Sequence, residues 1–216
     1  MKTISTKYQY SYQDSSPNHH HAYLLSPILK LLSQAQLTSQ NKLKILDLGC
    51  GNGSFSYLIA QQGYEVIGIE QSESGIKFAR QNFPDCHFIQ GSIYEGIPAE
   101  LENSFDIVIS AEVIEHLYYP RELVKYARKC LKPNGSLIIT TPYHGYWKNL
   151  LLAVSGKMDG HFTTLWDGGH VKFFSVATLS SLLESEGFTD LQFDFAGRFP
   201  YLWKSMLCSC SPSQTA

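Results

Sequence analysis

The sequence predicts an α/β protein built on a doubly wound parallel sheet with helices on both faces. Three observations predict it. Short apolar runs alternate with amphipathic segments through five cycles, the pattern that strand–helix–strand crossovers produce. The runs around Ile45, Ile67 and Ile107 carry little polar interruption, which suits strands buried on both faces. The first run reaches an acid, Asp47, and opens at once into three alternating glycines, Gly49, Gly51 and Gly53, a strand-to-helix turn.

Taken in order, residues 1–21 are polar and rich in Tyr, and Ser26-Pro27 begins an apolar-periodic segment (Ile28, Leu31, Leu32) that suits a helix with Pro in its first turn. The first strand is followed by a helix after Gly53, ended by Gly63. The second strand, Glu65–Ile69, ends at Glu70, and Ser74–Asn82 reads as a helix stopped by Pro84. His87–Gln90 is a third strand leading into Gly91-Ser92. Phe105–Ser110 is the fourth, opening into Ala111-Glu112-Val113-Ile114-Glu115-His116, where a helix beginning at Glu112 would bring residues 112, 115 and 116 onto one face. Arg121–Leu131 reads as a helix, Lys132-Pro133-Asn134-Gly135 as a turn with Pro at its second position, and Ser136–Thr141 as the fifth strand. The rhythm breaks over residues 143–171, an insertion with no simple period, and resumes with the helix Thr178–Glu186, its cap Gly187, and a sixth strand Thr189–Phe195. Tyr201–Cys208 is short and apolar enough to close a hairpin with it. The expected organisation is an N-terminal arm and helix over 1–40, a single domain over 41–210, and a tail over 211–216.

Composition narrows the classes. With 216 residues the chain supports one substantial core, and 17 Lys plus Arg against 19 Asp plus Glu leave a formal charge of -2. No basic stripe supplies the clustered cations that a large nucleic-acid footprint needs. Five cysteines form neither a paired framework nor a C-x-x-C motif and read as reduced thiols. No run of eighteen apolar residues and no apolar signal core occur, so a cytoplasmic protein is expected. His19-His20-His21 reads as a polar loop ahead of a helix.

The glycine turn offers unpaired N–H groups to a ligand, and an acid about twenty residues on, Glu70, can accept from both hydroxyls of a ribose. A dinucleotide fingerprint requires G-x-G-x-x-G, yet Ser54 stands where its third glycine would fall. The residues from Asp47 to Gly53 instead resemble the first motif of the class I S-adenosylmethionine-dependent methyltransferases, D-x-G-x-G-x-G, position by position. The resemblance covers about residues 40–210. It implies a Rossmann-like sheet of seven strands, mostly parallel with the last antiparallel, and S-adenosylmethionine as cofactor, with S-adenosylhomocysteine as product. It further implies a cofactor site of Asp47, Gly49, Cys50, Gly51 and Gly53 on the turn, Glu70 and Gln71 after the second strand, Ser92 and Ile93 beside the adenine, and Ala111 and Glu112 after the fourth strand. Ser92 stands where the family usually has Asp, and Cys50 contributes a small side chain with no chemistry of its own.

The run Glu112-Val113-Ile114-Glu115-His116 with a downstream His170 resembles two subfamilies, the ubiquinone-biosynthesis O-methyltransferases and the small-RNA 2′-O-methyltransferases. Both set such a run around a divalent cation that binds the acceptor oxygens. The resemblance thus implies Glu112, Glu115, His116 and His170 as the catalytic group, as a cation site or as a base without metal; carboxylates favoured at a helix start are the structural alternative. The insertion carries an apolar face (Tyr146, Trp147, Leu150, Leu151, Leu152, Val154) and aromatic residues (His161, Phe162, Leu165-Trp166) expected to shape a pocket for an apolar or aromatic small-molecule acceptor. Tyr8, Tyr10, His20 and Tyr23 are expected to fold over the cofactor as a lid. The expected activity is methyl transfer to oxygen of a phenol, quinol or similar acceptor. The alternatives are a nicotinamide-dependent oxidoreductase, a non-catalytic cofactor-binding domain and, more weakly, an RNA 2′-O-methyltransferase. The sequence sets no oligomeric state.

Overall fold

The computed structural model describes residues 10–162 and 164–213. Seven strands, β1 (Lys44–Leu48), β2 (Glu65–Glu70), β3 (His87–Gln90), β4 (Phe105–Ala111), β5 (Leu131–Pro142), β6 (Phe188–Ala196) and β7 (Ser205–Pro212), form one sheet in the order β3-β2-β1-β4-β5-β7-β6. The pairs from β3 through β5 are parallel, while β7 lies antiparallel to both β5 and β6. The seven-stranded, mostly parallel sheet and its antiparallel last strand are therefore as expected. The order reverses on either side of β1, between β1 and β4, where an α/β sheet opens a crevice at the carboxyl ends of its strands.

Strand side chains alternate between two cores. Ile45, Ile107, Ile109 and Ile138 pack with Leu24, Ile28 and Leu32 of α1 (His21–Thr38) and Phe55 and Ile59 of α2 (Ser54–Ala60). Their neighbours Leu46, Leu48, Val108, Leu137 and Ile139 face the opposite way, onto Leu123, Val124 and Ala127 of α4 (Pro120–Cys130) and Leu179, Leu182 and Leu183 of α7 (Val176–Ser185). Both faces being covered explains why these strands show no polar alternation. Each buried Leu or Ile contributes about 1.5–3 kcal/mol relative to exposure. The helix α3 (Glu73–Asn82) packs Ile76 and Ala79 on Cys50 and Phe88, capped by Ser72, whose Oγ accepts from Gly75 N.

Several boundaries differ from expectation. Helix α1 starts at His21, before Ser26, and carries Pro27 inside. Pro27 lacks the N–H that would reach Tyr23 O, yet the fully buried Leu24, Ile28 and Leu32, four apart, hold the helix through it. Of the histidine triplet, His19 and His20 form a turn ahead of the helix as expected, while His21 is its first residue: it is buried, its ring 4.9 Å from Phe55, and its Nδ1 accepts from Asn18 N at 3.1 Å. No helix begins at Glu112. That residue takes a left-handed φ of 56°, and only a single 3-10 turn, Ile114–His116, follows. The turn at Lys132–Gly135 lies within β5, as an irregularity between Phe105↔Leu131 and Ile107↔Ser136. Strand β7 begins at Ser205 rather than Tyr201, because Arg198 and Tyr201 are left-handed at φ 61° and 65° and shape the hairpin's turn. It also runs two residues into the expected tail. Between β5 and α7 the insertion holds α5 (Tyr146–Val154) and the short α6 (Met158–Phe162). Among the described residues no helix is long and apolar enough to cross a membrane.

Candidate active site

One cavity, of about 1580 Å³, opens at the carboxyl ends of β1, β2 and β4, and its walls include Asp47, Gly49, Cys50, Gly51, Glu70, Gln71, Ala111, Glu112, Glu115, His116 and His170. It exceeds the roughly 300–1,000 Å³ usual for one small ligand. The two halves of the expected site therefore share one chamber with room for a donor and an acceptor. Gly53, Ser92 and Ile93 do not line it. Gly53 instead lets α2 approach α3: at φ 80°, a Cβ there would meet Ala79 Cβ and the Phe88 ring at 2.7 Å. Ser92 Oγ donates to Gln71 Oε1 at 3.0 Å, so it acts on the cavity only through its neighbour, and Ile93 packs on the core.

The glycine-turn end of the cavity is built by backbone geometry. Gly49 N and Cys50 N both donate to Ile69 O, at 2.8 and 3.0 Å, which locks the turn against β2. Gly51 N donates to Glu70 Oε2 at 3.1 Å and Ser72 N to Glu70 Oε1 at 2.7 Å. The Glu70 carboxylate is thereby fixed at the strand tip, with lone pairs left over for further donors. Burial raises its pKa, countered by those backbone donors. Asp47 is fully buried under the turn and accepts from Ser56 Oγ at 2.6 Å.

Desolvation pushes the Asp47 pKa up to about 6 from 3.8, with the Ser56 hydrogen bond opposing and Glu70 adding to the rise. The folded chain then holds this proton more tightly than the unfolded chain, so stability is greatest below pH 4 for this group and is lost as pH rises through about 6. The loss amounts to about 3 kcal/mol. Asp47→Asn is expected to remove that slope. Denaturant midpoints of both proteins at pH 5 and pH 8, an interval that carries about half of that loss, check it, and a wild-type midpoint that falls no more than the variant's would contradict it.

The arm, residues 10–20, passes over this end. Ser72 Oγ donates to Tyr10 O at 2.6 Å, Tyr12 N donates to Ser74 Oγ at 2.9 Å, and Asn52 Nδ2 donates to Asp14 O and Ser16 O, both at 3.0 Å. The Tyr12 hydroxyl lies over Gly51, 2.5 Å from where a Cβ would stand. Of the four residues expected in the lid, Tyr10 and His20 line the cavity; Tyr23 turns away to share a hydrogen bond with Ser205 Oγ at 3.1 Å; Tyr8 lies outside the described residues. Tyr12 and Asn52 were not singled out by the sequence; the only signals were the Tyr-rich polar segment for Tyr12 and a place inside the glycine turn for Asn52.

Glu115, His116 and His170 converge at the other end, with one candidate ligand atom from each within 4.8 Å of the others. The segment after β4 returns to the insertion there: Val171 N and Lys172 N donate to Glu115 O at 2.8 and 2.9 Å. Glu115 is buried, its Oε2 accepts from Thr141 Oγ1 at 3.1 Å, and its Oε1 is shut from solvent with no hydrogen-bond partner among the described residues. Burial raises its pKa well above the usual carboxylate range, and the adjacent Glu112 raises it further. His116 Nδ1 faces Gly168 O at 2.9 Å and Gly169 O at 3.2 Å. Two carbonyls accept only, so Nδ1 carries the proton and the Nε2 lone pair points into the site, 4.0 Å from Glu115 Oε1. Burial lowers both imidazole pKa values, that of His170 to about 4, so both rings are neutral near pH 7.

Glu112 does not join this trio. Its left-handed backbone turns the carboxylate toward β5, where Thr140 Oγ1 donates to Oε1 at 2.9 Å, and burial brings its pKa up to about 7. The expected alignment of 112, 115 and 116 required a helix that is absent. The apolar face of α5 is also not a cavity wall: Trp147 is 62% and Val154 82% exposed, and from that helix only Asn149 reaches the chamber, joined by Phe162, Trp166 and Phe173.

Comparison with known proteins settles the family. A family model described as a methyltransferase domain matches residues 39–166, more than half of the chain. The chain belongs to the class I S-adenosylmethionine-dependent methyltransferases. Among its relatives is a ubiquinone biosynthesis O-methyltransferase of Rickettsia akari, 36% identical over 105 residues that make up 47% of this chain and 41% of that protein. The mitochondrial ubiquinone biosynthesis O-methyltransferase of Homo sapiens is 31% identical over 156 residues, 67% of this chain and 41% of the relative. The matched segment thus spans under half the length of each of these relatives. In fold, this methyltransferase superposes on a Pyrococcus horikoshii protein with a TM-score of 0.65 at 23% identity, covering 94% of this chain and 95% of that one. It matches the magnesium protoporphyrin IX methyltransferase of Synechocystis, solved with S-adenosylhomocysteine, with the same TM-score at 20% identity, covering 94% and 90%. The nicotinamide alternative falls with the family match.

Proposed function

We propose that this methyltransferase transfers the methyl group of S-adenosylmethionine to a hydroxyl oxygen of a small molecule, a phenol, quinol or similar acceptor. The observation that carries the reading is the buried, unpartnered Glu115 Oε1 beside two neutral imidazoles, in the same chamber as the glycine turn. The relatives named as O-methyltransferases support the choice of oxygen. A net charge of -2 favours a small molecule over RNA. The donor lies along Gly49, Cys50 and Gly51 with its ribose on Glu70 and its methionine part toward Ala111 and Glu112, and the arm serves as its lid. The S–CH3 bond breaks as the C–O bond forms in line, so alignment within the shared chamber provides much of the acceleration. The acceptor's proton passes to His116 Nε2, and Glu115 stabilises the imidazolium that results.

The same trio fits a divalent cation. Glu115 Oε1, His116 Nε2 and His170 form a mixed carboxylate–imidazole donor set, and the hydrogen bond from His116 Nδ1 to a backbone carbonyl is the orienting contact that metal-bound histidines commonly make. Such a cation, when bound, lowers the pKa of an acceptor hydroxyl. Turnover with labelled S-adenosylmethionine and catechol, with and without excess chelator, separates the two modes. Loss of rate at unchanged cofactor affinity is the expected result for the cation. An undiminished rate in chelator removes the cation and leaves His116 unaided, and no methyl transfer to any hydroxylated small molecule overturns the function itself.

A further inference from the structure

A second polar group in the chamber is not used by the chemistry above. Both ring nitrogens of His144 and Oδ1 of Asn149 are shut from solvent without a hydrogen-bond partner in the described structure. Such atoms carry a desolvation penalty that native structures rarely leave standing. Both residues line the cavity. Around the His144 ring stand Phe173 at 5.2 Å, His161 at 5.7 Å and Phe162 at 6.1 Å, the last nearly parallel to it. The ring neighbours of His116, by contrast, are Trp166 and His170, so the two polar groups sit in different aromatic surroundings. Phe162 belongs to α6, a five-residue helix with no buried residue, so its ring can be displaced without disturbing the core.

We propose that His144 and Asn149 form a second anchor in the acceptor pocket, which takes a neutral hydroxyl on the body of the acceptor, away from the oxygen that is methylated. This rests on the function proposed above and names a feature of its substrate. The donor–acceptor count selects the group. A neutral imidazole offers one N–H and one lone pair, and Asn149 Oδ1 needs a donor. A carboxylate or a ketone has no proton to give it. An ammonium would meet Lys148, which is buried next to Asn149 and whose Nζ donates to Tyr143 O at 2.7 Å. A hydroxyl accepts from His144 and donates to Asn149. The Asn149 side chain faces the His144 ring without completing a hydrogen bond to it, and burial, with Lys148 adding and Asn149 opposing, keeps His144 uncharged near pH 7, in keeping with that count.

The test is binding, measured by calorimetry on the full chain with S-adenosylhomocysteine present. The probes are para-hydroxybenzyl alcohol against para-cresol, and the same pair one methylene longer. The hydroxylated member of at least one pair is expected to bind about tenfold more tightly, one well-made hydrogen bond together with the relief of buried unpaired groups. His144→Phe combined with Asn149→Leu should erase that preference by weakening the hydroxylated probe alone. His144→Gln, which keeps a donor and an acceptor, should retain part of it. An unchanged affinity for S-adenosylhomocysteine certifies that each variant is folded; should the double variant fail that check, Asn149→Leu alone decides by the same measure. Equal affinities within both pairs overturn the proposal, as does a preference that survives the substitutions. Whether these phenols are methylated is read separately, so failure of the proposed function and failure of the anchor give different results.

Discussion

Glu115→Gln is expected to lower turnover by about 10²–10³-fold, the scale on which loss of a positioned acid–base group acts, while the dissociation constant for S-adenosylmethionine stays within about twofold and the protein becomes more stable. The first effect follows from position. Oε1 of Glu115 is the unpartnered atom that faces His116 Nε2 at 4.0 Å; burial keeps its carboxyl protonated at rest, but a cation arriving beside it drives that proton off, which an amide cannot copy, so the variant can neither stabilise an imidazolium there nor serve a metal ion as a carboxylate does. Cofactor affinity is spared because the glycine turn and Glu70 are braced by hydrogen bonds to Ile69 O and from Ser72 N, none of which involves Glu115. The third effect has the opposite sign. Burial, then Glu112, raises the Glu115 pKa, so the folded state binds this proton more tightly than the unfolded state and loses stability as pH rises above the usual carboxylate range. An amide has no such proton, and the variant's advantage should widen from pH 5 to pH 8. A merely structural Glu115 would make stability and turnover fall together. Single-turnover rates, calorimetric cofactor titration and denaturant midpoints on one preparation give the answer, and a variant that turns over at the wild-type rate would remove Glu115 from the chemistry.

What could be read from the sequence divides along local and non-local lines. The glycine turn and Glu70 were legible because each rests on a few adjacent residues: a buried strand, three positions with no Cβ, and an acid at the tip of the next strand. Sheet and helix order were legible for the same reason, since runs buried on both faces leave an apolar signature that survives without tertiary context. The pairing of Glu115 and His116 with His170 was legible only through resemblance, because fifty-odd residues intervene and the meeting depends on Val171 N and Lys172 N returning to Glu115 O. Where periodicity alone was trusted, it misled. The apolar face of α5 has the spacing of a buried helix, yet Trp147, Leu151 and Val154 point to solvent, because Lys148 and Asn149 are the side chains turned inward. Pro27 has the local chemistry of a helix start, but apolar contacts on both sides of it outweigh one missing hydrogen bond. Glu112 breaks the reading of a helix because its left-handed φ comes from contacts with Thr140, which sits on another strand.

Glu70→Ala is expected to weaken S-adenosylmethionine binding by about 100-fold or more with little change in the rate of bound complex. Two ribose hydroxyls donating to one carboxylate are charge-assisted hydrogen bonds, about 1.5–3 kcal/mol each. The substitution also releases Gly51 N and Ser72 N, which the carboxylate now holds at 3.1 and 2.7 Å, so the turn loses its brace as well as its acceptor. Glu70→Gln separates the two contributions. Its carbonyl can still accept from one backbone N–H, which keeps more of the turn's shape, but the amide end repels a donating hydroxyl, so most of the affinity loss should persist. Tyr12→Ala provides the comparison across the chamber. Its ring covers Gly51 from the arm side without a charge, and the arm remains tied through Tyr10 O and Asn52 Nδ2, so a loss of about tenfold is expected from that loss of cover. Titrating the three variants with S-adenosylmethionine and S-adenosylhomocysteine ranks them. A Tyr12→Ala loss larger than that of Glu70→Ala would mean that the arm, and not the strand tip, carries most of the cofactor's binding energy.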